Sequence, residues 1–186
     1  SGLVKADWPG LSIRRLTPPS LRLQVGWTGA PASTPALVAG VQTGSQDSGG
    51  SYAAFLQDSQ DCLASLIAAI EDDDARQVMA GIEQNRILLA GLSRTSGRVI
   101  ETAELTRLVE IARGHGAAAK SSGAGGGDCG IALCPPATDI AAMRTAWEAA
   151  GVRPLELSVH SRGPSTDSPA DAPTDSPTDS PVKVAS

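Results

Sequence analysis

The sequence predicts an α+β fold, an antiparallel sheet with helices packed on one face in a ferredoxin-like arrangement. Three observations carry that expectation. Apolar residues alternate in strand fashion near both ends of the folding part of the chain, a long middle section has helical periodicity, and one further strand is set between the last two helices. With 186 residues the chain can bury one sizeable core. Aromatics are only 3%, so that core must be built mainly from Leu, Ile, Val and Ala.

From the N-terminus, Leu11 and Ile13 alternate with polar neighbours, TPPS at 17–20 marks a turn, and Leu21, Leu23, Val25 and Trp27 alternate again. GWTGAPAST (26–34) reads as a loop, and PALVAGVQ opens a short helix with Pro35 at its first position. A longer helix then carries Tyr52, Phe55, Leu56, Leu63, Leu66, Ile67 and Ile70 near i, i+3, i+4 spacing, and the next carries Val78, Met79, Ile82, Leu89 and Leu92. A third, with Leu105, Leu108, Val109 and Ala112, ends at Gly114. After a glycine-rich loop, GIALC is a strand that Pro135-Pro136 stops. The last helix has Thr138 as N-cap, Asp139 in its first turn, Ile140, Met143 and Trp147 on one face and Gly151 at its close. Leu155, Leu157 and Val159 form a final strand.

From Arg162 the composition changes. TDSP recurs at 166, 174 and 178, no aromatic is present, and four aspartates against Arg162 and Lys183 give −2 of the chain's −5. Such a segment cannot bury enough apolar surface to offset its ordering entropy, and residues 162–186 read as a disordered tail.

The net charge and a pI of about 4.9 give no electrostatic footprint for nucleic acid. No apolar run reaches the roughly 18 residues of a membrane span, and SGLVKADWPG lacks the apolar core of a signal peptide. Cys62, Cys129 and Cys134 form no CxxC pair, and His115 and His160 stand far apart, so no metal site is expected. The cysteines read as reduced and mostly buried, and the location as cytoplasmic. The acidic run Glu71-Asp72-Asp73-Asp74 falls at a helix–helix junction and reads as a solvated cap rather than a Mg²⁺ site.

The segment KSSGAGGGDCG (120–130) carries the chemistry. Five glycines in eight positions are destabilising unless the backbone must turn sharply or approach a ligand. Gly125, Gly127 and Gly130 satisfy GxGxxG literally, yet a strand follows where a dinucleotide site needs a helix. A Walker A loop needs its lysine after the glycines, and Lys120 precedes them. What remains is a lysine, two hydroxyls and a turn whose N–H groups suit phosphate oxygens, against the plainer reading of a turn needed only for packing.

The string KSSGAGGGDCGIAL resembles the third conserved motif of the GHMP kinases, in the form found in phosphomevalonate kinases. VGWTGAPAST (25–34) is similar to the loop after the first strand of their C-terminal domain, and DWPGLSI (7–13) and AWEAAGVRPLEL (146–157) sit where the resemblance places them. It implies a GHMP kinase C-terminal domain at 21–161, preceded at 1–20 by a remnant of the N-terminal kinase domain and its linker. It implies transfer of the ATP γ-phosphoryl to 5-phosphomevalonate in the mevalonate route to isoprenoids, with Mg²⁺ bridging nucleotide phosphates. By the same resemblance Lys120, Ser121, Ser122 and Gly123 line the substrate site, Gly125, Gly126 and Gly127 shape the turn, and Ser33 and Thr34 face the phosphomevalonate phosphate. Asp128 is expected to brace the loop rather than act as a base.

The GHMP kinases are about twice this length, and their N-terminal half carries a PxxGLGSSAA-type loop around the ATP triphosphate. No such loop occurs here. The expectation is therefore a chain that supplies the C-terminal wall of an active site, holds no catalytic residue of its own, and is inactive without the N-terminal half. The alternative is a non-catalytic phosphate-ester-binding or regulatory module that keeps the fold.

Overall fold

A computed structural model describes residues 3–7, 12–31, 50–123 and 125–157. The elements are β1 (Leu3–Asp7), β2 (Ser12–Leu16), β3 (Arg22–Trp27), α1 (Ser51–Glu71), α2 (Ala75–Ser96), α3 (Ala103–Gly114), β4 (Ala118–Ser121), β5 (Cys129–Cys134), α4 (Ile140–Ala149) and β6 (Arg153–Leu155). The expected short helix at Pro35 and the 162–186 tail lie outside the described residues. The final strand expected on Leu155, Leu157 and Val159 is found earlier, as β6 over Arg153–Leu155, with Leu157 exposed beyond it and Val159 outside the described residues.

β1 and β2 pair only with each other, while the main sheet has the order β4-β5-β3-β6 with every neighbouring pair antiparallel. Read from β3, the chain runs strand, helices, strand, strand, helix, strand. That is the split βαβ pattern, with β5 between β3 and β4 and β3 between β5 and β6. The α+β class and the antiparallel sheet are as the sequence predicts. Two further strands depart from expectation. β1 is a strand where none is predicted, and residues 118–121, expected at the edge of the glycine loop, form β4.

Helix ends follow side-chain chemistry. Asp74 caps α2 by accepting from the Gln77 N–H at 3.0 Å, and Thr102 caps α3 by accepting from the Leu105 N–H. For α4 the cap is Asp139, which accepts from the Ala142 N–H at 3.0 Å, and not Thr138. Thr138 is buried instead, its carbonyl held by the Arg22 guanidinium. At the acidic junction Glu71 pairs with Arg14, and the Asp73 carboxylate accepts from the Ser20 N–H and hydroxyl at 2.7 and 2.8 Å.

The core lies between the sheet and α3 and α4. Leu108, Val109, Ala112, Met143, Trp147 and Val152 pack there on Ala119, Ala132 and Cys134. Trp147 is fully buried, as its spacing predicts, and its indole N–H donates to the Leu108 carbonyl at 3.0 Å, which removes the cost of an unpaired polar group. Leu108 sits in a notch between two strands. Gly26 and Gly130 are cross-strand partners, and a methyl at either would come within 2.9 Å of the Leu108 side chain. Gly130 thus serves packing within β5 rather than the turn before it. α2 runs beside β4, and α1 packs on α2.

Candidate functional site

The glycine-rich turn connects β4 to β5, two antiparallel neighbours. Gly125, Gly126 and Gly127 have φ of 87°, 82° and 120°, and Asp128 follows at 65°. Four residues in sequence through the left-handed region explain the glycine density, since a Cβ there is sterically penalised.

The turn is pinned on two sides. The Gly126 N–H donates to the Ile100 carbonyl at 2.7 Å, in the connection between α2 and α3. The Asp128 N–H donates to the Ala30 carbonyl at 2.7 Å, and the Asp128 carbonyl accepts from both the N–H and the hydroxyl of Thr28, at 2.7 and 2.8 Å. A methyl on Gly125 would fall 2.3 Å from the Ile100 oxygen and 2.6 Å from its Cγ2. The amides of Gly126 and Asp128 are therefore directed at protein carbonyls and not at a ligand. Asp128 braces the turn through its main chain, while its carboxylate is exposed, 3.5 Å from Cys129 Sγ.

Lys120 and Ser121 lie on β4, where successive side chains point to opposite faces. Ser121 is opposite Gly130 on the helix side and is buried, its hydroxyl 3.5 Å from the Gly123 carbonyl. Lys120 is opposite Ile131 on the other face, and its ammonium donates to the Ser121 carbonyl at 2.7 Å. Burial holds the Lys120 pKa below the ordinary lysine range. Ser122 and Gly123 are exposed at the mouth of the turn, with the Ser122 N–H still bonded to the Cys129 carbonyl at 2.9 Å. A common polar wall would have to take Lys120 and Ser121 from different sides of the strand, which spacing alone does not reveal. Ser33 and Thr34 lie outside the described residues.

Beside the turn, Arg153 stacks its guanidinium 5.0 Å from the Trp27 ring centre. Cys62 and Cys134 are buried and Cys129 is half-buried, all three as free thiols. Burial pushes the Cys134 thiol up to about 11. Among the described residues no three His, Cys, Asp or Glu side chains gather as metal ligands. Among them, too, no helix is long and apolar enough to cross a membrane.

Sequence reasoning missed the anchors of the turn, Thr28, Ala30 and Ile100. None carries a local signal, because each contributes through its main chain or from a distant element. Gly26 and Trp27, expected to open the loop at 26–34, are instead the last two residues of β3.

Residues 65–153 match the family model described as GHMP kinases C terminal. Over 158 residues the chain is 44% identical to the phosphomevalonate kinase of Streptomyces sp. (strain CL190), a match that covers 83% of this chain and 42% of that enzyme. A Listeria innocua protein of solved structure superposes with a TM-score of 0.77 at 35% identity, over 84% of this chain and 44% of that one. Streptococcus pneumoniae phosphomevalonate kinase, solved in complex with phosphomevalonate and AMPPNP, superposes with a TM-score of 0.67 at 33% identity, over 82% and 43%. The chain thus spans less than half the length of these relatives. The match over 65–153 and the superposition on the Streptococcus enzyme agree: the described part of this chain holds a domain of the GHMP kinase C-terminal type.

Proposed function

We propose that this chain is the C-terminal portion of a phosphomevalonate kinase, moving the γ-phosphoryl of ATP onto the phosphate of 5-phosphomevalonate to give 5-diphosphomevalonate and ADP. The observation that carries the reading is the KSSGAGGGDCG segment, folded as a pinned left-handed turn, in a chain 44% identical to the Streptomyces enzyme. The Streptococcus complex with phosphomevalonate and AMPPNP supports both the acceptor and ATP as donor.

In this reading residues 1–20 belong to the end of the first domain, 21–161 form the second, and 162–186 are a tail. Ser122 and Gly123 at the mouth of the turn, with Lys120 and Ser121 from the two sides of β4, line the substrate site, and Ser33 and Thr34 hold the phosphomevalonate phosphate. Phosphoryl transfer needs positioning and charge stabilisation more than covalent help from the protein, and a rigid turn with one ammonium beside it suits that demand. The N-terminal half supplies the ATP loop and the Mg²⁺ environment, so residues 1–186 alone do not turn over. A cytoplasmic location is part of the same proposal.

The test is phosphomevalonate-dependent ADP release by the longest natural polypeptide containing this sequence, with mevalonate as the control acceptor. Release with phosphomevalonate and not mevalonate is expected. Tight phosphomevalonate binding without release would move the assignment to a non-catalytic binding module, and release with mevalonate would move it to another GHMP kinase.

A further inference from the structure

The connection between α2 and α3, residues 97–102, is fastened more heavily than a surface turn requires. From α2, Arg86 reaches Glu101 with two parallel contacts, Nε to Oε2 at 2.7 Å and Nη2 to Oε1 at 2.8 Å. From α3, the Thr106 hydroxyl donates to Glu101 Oε1 at 2.9 Å. Glu83 adds contacts to Arg86 at 3.3 Å and to Arg113 at 3.5 Å, and the Ser93 hydroxyl accepts from the Ile100 N–H while donating to the Arg98 carbonyl. The side chains of Arg86 and Glu101 are 18% and 20% exposed, which places the pair under cover where charge-assisted bidentate bonds are strongest.

The residue next to Glu101 is Ile100, only 2% exposed, whose carbonyl takes the Gly126 N–H and whose side chain closes on Gly125. We propose that the Arg86–Glu101 pair is a positioning device for the glycine-rich turn: by fixing Glu101 it fixes the Ile100 carbonyl on which the turn hangs. Neither residue belongs to the glycine motif or touches the turn through its own side chain. Their consequence for turnover rests on the kinase reading above, but the mechanical link does not.

The experiment uses the full natural polypeptide and two readouts, deuterium exchange of the peptide spanning 122–130 and steady-state kinetics with ATP and phosphomevalonate. Glu101→Gln keeps the shape of the side chain and removes its charge, and Arg86→Lys keeps a cation but loses the fork. Val78→Ala, about two turns earlier on α2, is the packing control. Glu101→Gln is expected to raise exchange of the 122–130 peptide about tenfold and to lower kcat/KM by a similar factor. Arg86→Lys should fall between it and wild type, and Val78→Ala should move neither readout at matched fraction folded. Exchange in Glu101→Gln no faster than in Val78→Ala would overturn the proposal, and a loosened turn with unchanged kcat/KM would overturn its consequence for turnover. If the wild-type polypeptide shows no phosphomevalonate turnover, the kinase reading fails, and the exchange comparison alone decides the link between the pair and the turn.

Discussion

At position 125 a methyl group would meet the Ile100 carbonyl oxygen in a backbone conformation that L-residues avoid, whereas at Gly97, with φ of 66°, nothing lies nearby. Gly97→Ala should therefore cost only the conformational term, about 1 kcal/mol. Gly125→Ala should cost at least twice that and displace the turn, and thermal unfolding of the two variants measures the difference. Leu108→Ala empties the glycine notch and should cost about 3 kcal/mol in denaturant titration. Lys120 has the opposite sense. Its folded-state pKa is depressed, so the unfolded chain binds the proton more tightly, and the charged lysine destabilises the fold at neutral pH. Stability should rise as pH climbs through the folded pKa, and Lys120→Met should be more stable than wild type at pH 7 with the gain gone above about pH 11. The lysine itself was legible in the sequence. Its separation from Ser121 was not, because it depends on recognising a strand in AAKS.

At the level of elements, α2 to α4 were legible because buried positions recur at helical spacing, as with Leu105, Leu108, Val109 and Ala112 on α3. α1 has the expected spacing, but it buries Cys62 and Ala69 while Leu56 and Leu63 of the expected apolar set are exposed. β4 was not legible. Ala117 leads into it and Ala118 and Ala119 begin it, all good helix formers, and both Ala118 and Ala119 are buried, so no alternation marks a face. Pairing with β5 decides its conformation, a tertiary override of propensity. β1 likewise gains its strand form from β2. The connection from α2 to α3 offers a pH test. Arg86 holds the Glu101 carboxyl below its ordinary range, helped by Thr106 and opposed by burial. The stability this contributes is fully present above about pH 5 and is lost as pH falls through the folded-state value. Glu101→Gln should flatten the acid limb of a plot of Tm against pH without altering its alkaline limb.

For the molecule as a whole, α3 and α4 cover one face of the sheet, and the opposite face carries Leu23, 38% exposed, with half-buried Ile131, Leu133 and Leu155. Ile13 and Val4 add exposed apolar surface on the separate β1–β2 pair. Under the proposed two-part organisation, residues 1–186 alone should bind a hydrophobic dye more strongly, per mole, than the longer polypeptide, which a fluorescence titration reads directly. The paired glycines at 26 and 130 have a wider reach. They let α3 approach the sheet by about the width of one methyl group, and α3 begins where the Ile100 connection ends. A single carbon added at 130 would act as a shim beneath that helix. The misfit would be felt at the glycine turn, with no residue of the turn altered, so damage to turnover need not map to the place where the turnover occurs.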